Sequence, residues 1–109
     1  MAFDDALAQR IRKDLGNRAG LTEKKMFGGI GFMLGGNMAC GVHGQDMIVR
    51  IQPEETEKAL AEPHTRRFDL TGRPMKGWIL VEPAGVVTDA ALRKWLGVGV
   101  KYAESLPPK

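Results

Sequence analysis

Apolar positions at the start of the chain repeat with the period of a helix. They recur every four residues, at Phe3, Leu7, Ile11 and Leu15. This spacing forms one apolar stripe and predicts a helix over residues 4–15. Asp4 or Asp5 can cap the beginning of the helix, and Gly16 can adopt the left-handed conformation that ends it. The chain is therefore expected to begin with an amphipathic helix.

Short apolar runs separated by glycines follow, and this pattern is typical of strands joined by tight turns. We expect a first strand over about 24–34, bent or bulged near Gly28-Gly29, because glycine tolerates the dihedral angles of a bulge. Strands 37–43 and 46–51 follow. The turns Gly35-Gly36 and Gly44-Gln45 have two residues each, so the strands they join must be antiparallel. The strand that begins near Lys24 is thus expected to pair with strand 37–43.

The second half of the chain begins with a predicted short helix. Pro53 is favoured in a first helical turn, and the helix is expected to end before Pro63 because a residue that precedes proline avoids the helical conformation. Residues 63–77 form a predicted loop, in which Phe68 and Leu70 belong to a short strand.

A strand and a helix complete the predicted order. The strand extends from Trp78 to Glu82, and Thr88 or Asp89 caps the final helix. Gly97 and Gly99 weaken that helix by about 1 kcal/mol each against alanine, which close packing can offset. The order of helix, three strands, helix, two strands and helix predicts an α+β two-layer sandwich with a five-stranded antiparallel sheet, in one domain over 1–109.

Composition is ordinary for a globular chain of this length. The chain has 109 residues, of which 43% are hydrophobic and 27% charged, and its net charge is +3. We expect a soluble cytoplasmic protein, because no apolar segment is long enough to span a bilayer and the first ten residues do not form a secretory signal. One cysteine excludes an internal disulfide and a multi-cysteine zinc site. The mild positive charge adds little to the case for a nucleic-acid binder.

The glycine-rich segments do not match a nucleotide-binding motif. After Gly29 and Gly31 the third glycine of a dinucleotide fingerprint is missing, and no helix is predicted to follow. Gly31 and Gly36 are spaced as in a phosphate-binding loop, but Asn37 stands where lysine is required. Bulges and hairpin turns account for these glycines, and no cofactor is expected.

No catalytic or metal-binding arrangement is recognised. Cys40 and His43 are three residues apart on a predicted strand, so their side chains should point to opposite faces. We expect Cys40 to be a buried, unreactive thiol. The glutamates of the short helix fit a solvated face better than an acid–base pair. The sequence therefore favours a protein without catalytic activity.

The candidate contact surface is a basic loop, defined by four cations: Arg66, Arg67, Arg73 and Lys76. These side chains could bind a phosphate or an acidic partner. Alternatively, the arginines pair with Asp69 and with the acidic short helix. Trp78 is interpreted as a core residue. An exposed aromatic ring beside Arg73 would favour single-stranded nucleic acid, whose binding proteins interleave cations with stacking rings.

Two motifs resemble one known family. The segment MFGGIG at 26–31 and the segment DLTGRPMKGW at 69–78 are similar to the TfoX N-terminal domain family, and the resemblance extends from about residue 8 to residue 108. It implies an α-β(3)-α-β(2)-α sandwich. It supplies no catalytic residues.

The resemblance also implies a functional setting. The namesakes of the family, TfoX or Sxy, are bacterial regulators of natural competence that act with the cyclic-AMP receptor protein and carry a second, helical domain. This chain is expected to be a stand-alone N-terminal domain of unestablished role, regulatory through protein–protein contacts. Weak binding of nucleic acid or a phosphate ligand through the basic loop is the alternative. No membrane partner is expected, and homodimer formation is left open.

Overall fold

The computed structural model describes residues 4–26, 28–68 and 76–108, which form three helices and six strands. The helices are α1 (Asp5–Leu15), α2 (Thr56–Leu60) and α3 (Asp89–Ser105). The strands are β1 (Leu21–Met26), β2 (Gly29–Leu34), β3 (Asn37–His43), β4 (Asp46–Arg50), β5 (Thr65–Arg67) and β6 (Trp78–Val81). Two 3₁₀ turns, Pro53–Glu55 and Pro83–Val86, precede α2 and α3.

All six strands belong to one sheet in the order β1-β2-β3-β4-β6-β5, and every neighbouring pair is antiparallel. The predicted α+β class and antiparallel sheet are confirmed. The predicted count of five strands is wrong by one. Gly35 and Gly36, with φ of 59° and 84°, form the expected turn between β2 and β3. Two successive residues with positive φ match the twist of a two-residue hairpin.

The single strand predicted over 24–34 is two strands. Met26 and Gly29 are partners in the register of β1 with β2, so the chain reverses between them, and Gly28 has a φ of 73°. Gly28 thus lies in a turn rather than a bulge, and Gly29 begins β2. The pairing predicted with strand 37–43 is made by the second half of this segment, because β2 lies between β1 and β3.

The short strand predicted at Phe68 and Leu70 lies elsewhere. Strand β5 is Thr65–Arg67, and it pairs with β6 at the edge of the sheet. Phe68 follows β5 and is buried, while Leu70 lies outside the described residues. The apolar side chain of Phe68 therefore fills space next to the sheet without belonging to a described strand.

The three helices contribute to one core on the same side of the sheet. Leu7 and Ile11 of α1, Ala59 of α2, and Leu92 and Trp95 of α3 belong to one buried cluster with inward side chains of β2, β3, β4 and β6. A smaller buried cluster contains Met38, Ile48, Phe68 and Leu80. None of the helices in the described part of the chain is long and apolar enough to cross a membrane.

Both long helices begin with the predicted type of cap. The Asp4 carboxylate accepts hydrogen bonds from the backbone N–H groups of Ala6 and Leu7, at 3.0 and 3.2 Å. The Thr88 hydroxyl accepts one from the N–H of Ala91, at 3.1 Å. Gly16, with a φ of 61°, follows the end of α1. Each cap satisfies backbone donors that the first helical turn leaves without a partner.

Candidate functional site

Arg66 of the basic loop lies on the edge strand β5 and contacts two carboxylates. Its Nη2 donates to Oδ2 of Asp46, and its Nε lies 3.4 Å from Oε2 of Glu82. Arg66 is paired in register with Leu80 of β6, whereas Asp46 begins β4 and Glu82 directly follows β6. Two carboxylates more than offset the positive charge of this arginine.

Arg67 forms a two-point ion pair with the acidic helix. Its Nη1 and Nη2 donate to the two carboxylate oxygens of Glu57, at 3.1 and 3.3 Å. All the pairs of Arg66 and Arg67 are at least partly solvent-accessible, and such pairs contribute about 0–1 kcal/mol to stability. Their larger consequence is electrostatic, since the positive potential that a bound anion would meet is reduced.

The remaining two predicted contact residues differ from this pair. Lys76 is exposed and immediately precedes the buried Gly77. Arg73 lies outside the described residues. The structure therefore places Arg66 and Arg67 together on β5, each with a carboxylate, and Lys76 near the beginning of β6.

A buried hydroxyl fixes the backbone at the beginning of β6. The Thr56 Oγ1 accepts a hydrogen bond from the Gly77 N–H and donates one to the Pro53 carbonyl, both at 2.8 Å. The Ile51 N–H donates to the Gly77 carbonyl at 2.9 Å, and Gly77 has a φ of 86°. These hydrogen bonds hold the backbone of Gly77 at the end of the sheet where β4 ends.

At this end of the sheet the Arg50 guanidinium lies beside two aromatic rings. Its Cζ is 5.1 Å from the ring centroid of Trp78 and 5.3 Å from that of Tyr102. Arg50 and Trp78 are direct partners across β4 and β6, whereas Tyr102 belongs to α3. All three side chains are partly buried. We call Arg50, Trp78 and Tyr102 the arginine–aromatic cluster.

The sequence pattern does not predict this cluster. Alternation along β4 puts Arg50 on the face opposite Met47 and Val49, but nothing in the local pattern brings Tyr102 to it. Trp78, which was interpreted as a core residue, is only partly buried and packs at 5.7 Å from the ring of Phe68. An accessible aromatic ring therefore does lie beside a cation, but that cation is Arg50.

Cys40 is fully buried in the main core. Burial raises the pKa of its thiol to about 12, because the apolar surroundings disfavour the thiolate. The predicted burial is confirmed. His43 ends β3, opposite Asp46, and is partly exposed. Among the described residues, no group of three or more histidine, cysteine, aspartate or glutamate side chains is arranged to hold a metal ion.

The fold and these surfaces define a small α+β domain with a partly exposed arginine–aromatic cluster. A sequence model of the TfoX N-terminal domain matches residues 13–103. Because the match covers most of the chain, the protein belongs to the TfoX N-terminal domain family, as its two motifs suggested. A search of the curated proteins and a search of the solved structures found no match.

Proposed function

We propose that this chain is a non-catalytic binding domain with a regulatory role exerted through contacts with another protein. The observation that carries the proposal is the ion pairing of Arg66 and Arg67 with Asp46, Glu82 and Glu57. A surface whose arginines already contact carboxylates attracts a polyanion weakly. Family membership supports the regulatory setting, because the namesakes of the family are regulators of competence.

The chemistry of the chain's thiol also supports a binding role. Nucleophilic catalysis by cysteine requires an accessible thiolate with a base within hydrogen-bond reach. The Cys40 side chain is buried and its pKa is raised, so it is poorly suited to that task. The chain contains one serine, Ser105, which is the last residue of α3. Its hydroxyl donates a hydrogen bond to the Tyr102 carbonyl at 2.6 Å.

One observation favours the second candidate, which is binding of single-stranded nucleic acid. The partly exposed Trp78 ring lies near Arg50 and follows the exposed Lys76 by two residues. Aromatic rings interleaved with cations are the surface on which unpaired bases stack. This candidate ranks second because the neighbouring Arg66 and Arg67 are paired with acids.

The proposal is tested by affinity capture followed by reconstitution. The immobilised domain is exposed to nuclease-treated lysate of the source organism, the captured protein is identified and purified, and the complex is reassembled from the two pure components. We expect a complex of fixed stoichiometry whose affinity changes less than about tenfold between about 50 and about 200 mM salt. A protein captured from untreated lysate but not from nuclease-treated lysate would instead support the nucleic-acid candidate.

A further inference from the structure

The position of the Arg50 side chain is determined from two directions. Strand pairing places it directly beside Trp78. Helix α3 places Tyr102 near it, because α3 passes this end of the sheet: Gly99 touches Ala39, and the Asn37 side chain donates to the Pro107 carbonyl at 2.9 Å. Both ring centroids lie within the roughly 6 Å over which a ring attracts a cation. The guanidinium is therefore held in place before any ligand binds.

Arg50 also differs from most described arginines in its ionic partners. Five of them contact a carboxylate within 4.0 Å: Arg10, Arg12, Arg66, Arg67 and Arg93. Among the described residues, no carboxylate forms such a pair with Arg50, and none accepts a hydrogen bond from it. The aromatic rings interact with the charge but do not accept hydrogen bonds from its N–H donors in the plane of the guanidinium.

These features suit one planar anion better than a chain of phosphates. A guanidinium presents parallel N–H donors whose spacing matches the two oxygens of a carboxylate. A bound nucleic-acid strand needs several cations along its backbone, and the nearby Arg66 and Arg67 already contact acids.

We propose that the arginine–aromatic cluster is a binding site for a single carboxylate, supplied by an aspartate or glutamate side chain of a partner protein. Arg50 binds both carboxylate oxygens, and the Trp78 and Tyr102 rings contact the methylene groups of the same side chain. The identity of the partner rests on the proposed function, but the affinity of the cluster for a carboxylate can be measured without that partner.

The probe is the peptide acetyl-Gly-Glu-Gly-amide, with acetyl-Gly-Gln-Gly-amide as its uncharged match. Each peptide is titrated into the full chain at low salt while two NMR signals are followed: the Arg50 Nε–H and the Trp78 indole N–H. We expect the glutamate peptide to shift both signals in a saturable manner and to bind about tenfold or more tightly than the glutamine peptide, which is the range of a charge-assisted hydrogen bond.

Three variants separate the site from general charge effects. Arg93→Gln removes one positive charge from a surface ion pair with Asp14 and should bind the peptide as the wild type does. Arg50→Gln should lose binding by about tenfold or more, and Arg50→Lys, which keeps the charge without the parallel donors, should also bind more weakly. The Arg50→Lys variant keeps the test decisive if Arg50→Gln does not fold.

Three results would overturn the proposal: equal binding of the two peptides, unchanged binding by both Arg50 variants, or the absence of any saturable shift. A fourth would replace it: a thymidine oligonucleotide that shifts the Trp78 signal and displaces the glutamate peptide at lower concentration would assign the cluster to nucleic acid. Failure of the peptide test leaves the proposed function intact if the reconstituted protein complex forms through another surface, so the two failures are distinguishable.

Discussion

Gly99 of α3 lies directly against the backbone of Ala39 in β3. A Cβ atom placed on Gly99 would be 2.2 Å from the Ala39 carbonyl oxygen and 3.0 Å from its carbonyl carbon. Both atoms belong to the backbone of a central strand, which cannot move without disturbing its pairing. The helix and the sheet thus approach each other at a distance that only glycine permits.

Substitution of Gly99 by alanine should therefore destabilise the fold, although alanine is the better helix former. We expect a loss of about 1–3 kcal/mol in the free energy of unfolding, because overpacking forces the helix away from the sheet. Gly97, two residues earlier in the same helix, has nothing within 4 Å of the equivalent position. Gly97→Ala should stabilise the protein by about 1 kcal/mol through helix propensity alone.

Urea denaturation of the two variants measures the difference. A stabilised Gly99→Ala variant would show that α3 does not dock on β3 at this point. Because the two substitutions are chemically identical, their opposite signs isolate the contact from propensity.

Thr56 should contribute to stability through its hydroxyl. In Thr56→Val the shape of the side chain is nearly kept, but the buried Gly77 N–H loses its acceptor, and an unpaired buried donor costs about 1–3 kcal/mol. Thr56→Ser retains the oxygen and should lose less. Urea denaturation of both variants checks this. A Thr56→Val variant as stable as the wild type, together with a destabilised Thr56→Ser variant, would show that packing of the Thr56 methyl group matters rather than its hydroxyl.

Cys40 should react slowly with thiol reagents in the native protein. Its side chain is fully buried and the pKa of its thiol is raised to about 12, so the reactive thiolate is scarce at neutral pH. We expect iodoacetamide to label the native chain much more slowly than the chain in denaturant. Rapid, complete labelling of the native chain would contradict the buried position and reopen a redox role.

The raised pKa of the Cys40 thiol also predicts how the free energy of unfolding changes at high pH. In the unfolded chain Cys40 loses its proton near its ordinary pKa of 9.0, whereas in the folded chain it keeps the proton until about pH 12. Between these two pH values the folded state binds more protons than the unfolded state. The contribution of the Cys40 thiol to stability is therefore complete below pH 9 and falls as the pH rises toward 12. Cys40→Ala should flatten this part of the stability profile measured by urea denaturation.

The helices and the central strands were predictable because their signals are local. Asp4, Thr88, Gly16 and the Gly35-Gly36 turn each determine a boundary through hydrogen bonds or dihedral angles within a few residues. The edge strands were harder. Strand β1 has the sequence LTEKKM, whose run of polar, exposed residues suits a sheet edge and shows no alternation of apolar and polar positions. Strand β5 has three residues and depends on pairing with β6.

The candidate site was predictable only in part for a related reason. A count of cations along the loop identified Arg66 and Arg67, and the alternative of pairing with the acidic short helix anticipated the contact of Arg67 with Glu57. The two acids that Arg66 contacts, Asp46 and Glu82, were not anticipated. The position of Tyr102 beside Arg50 depends on how α3 docks against the sheet, which the close contact of Gly99 controls. Such contacts follow from tertiary packing and have no counterpart in residue spacing.

The most direct test of the account is the salt dependence of DNA binding, compared between the wild type and the double variant Arg73→Ala, Lys76→Ala. Fluorescence anisotropy with labelled duplex DNA is measured at about 50 and about 200 mM salt. We predict weak binding or none, and a salt slope shallower than about −4, since four cations neutralise at most about four phosphates. Tight, sequence-selective binding at physiological salt that the double variant loses would contradict the central claim that this domain acts through protein contacts.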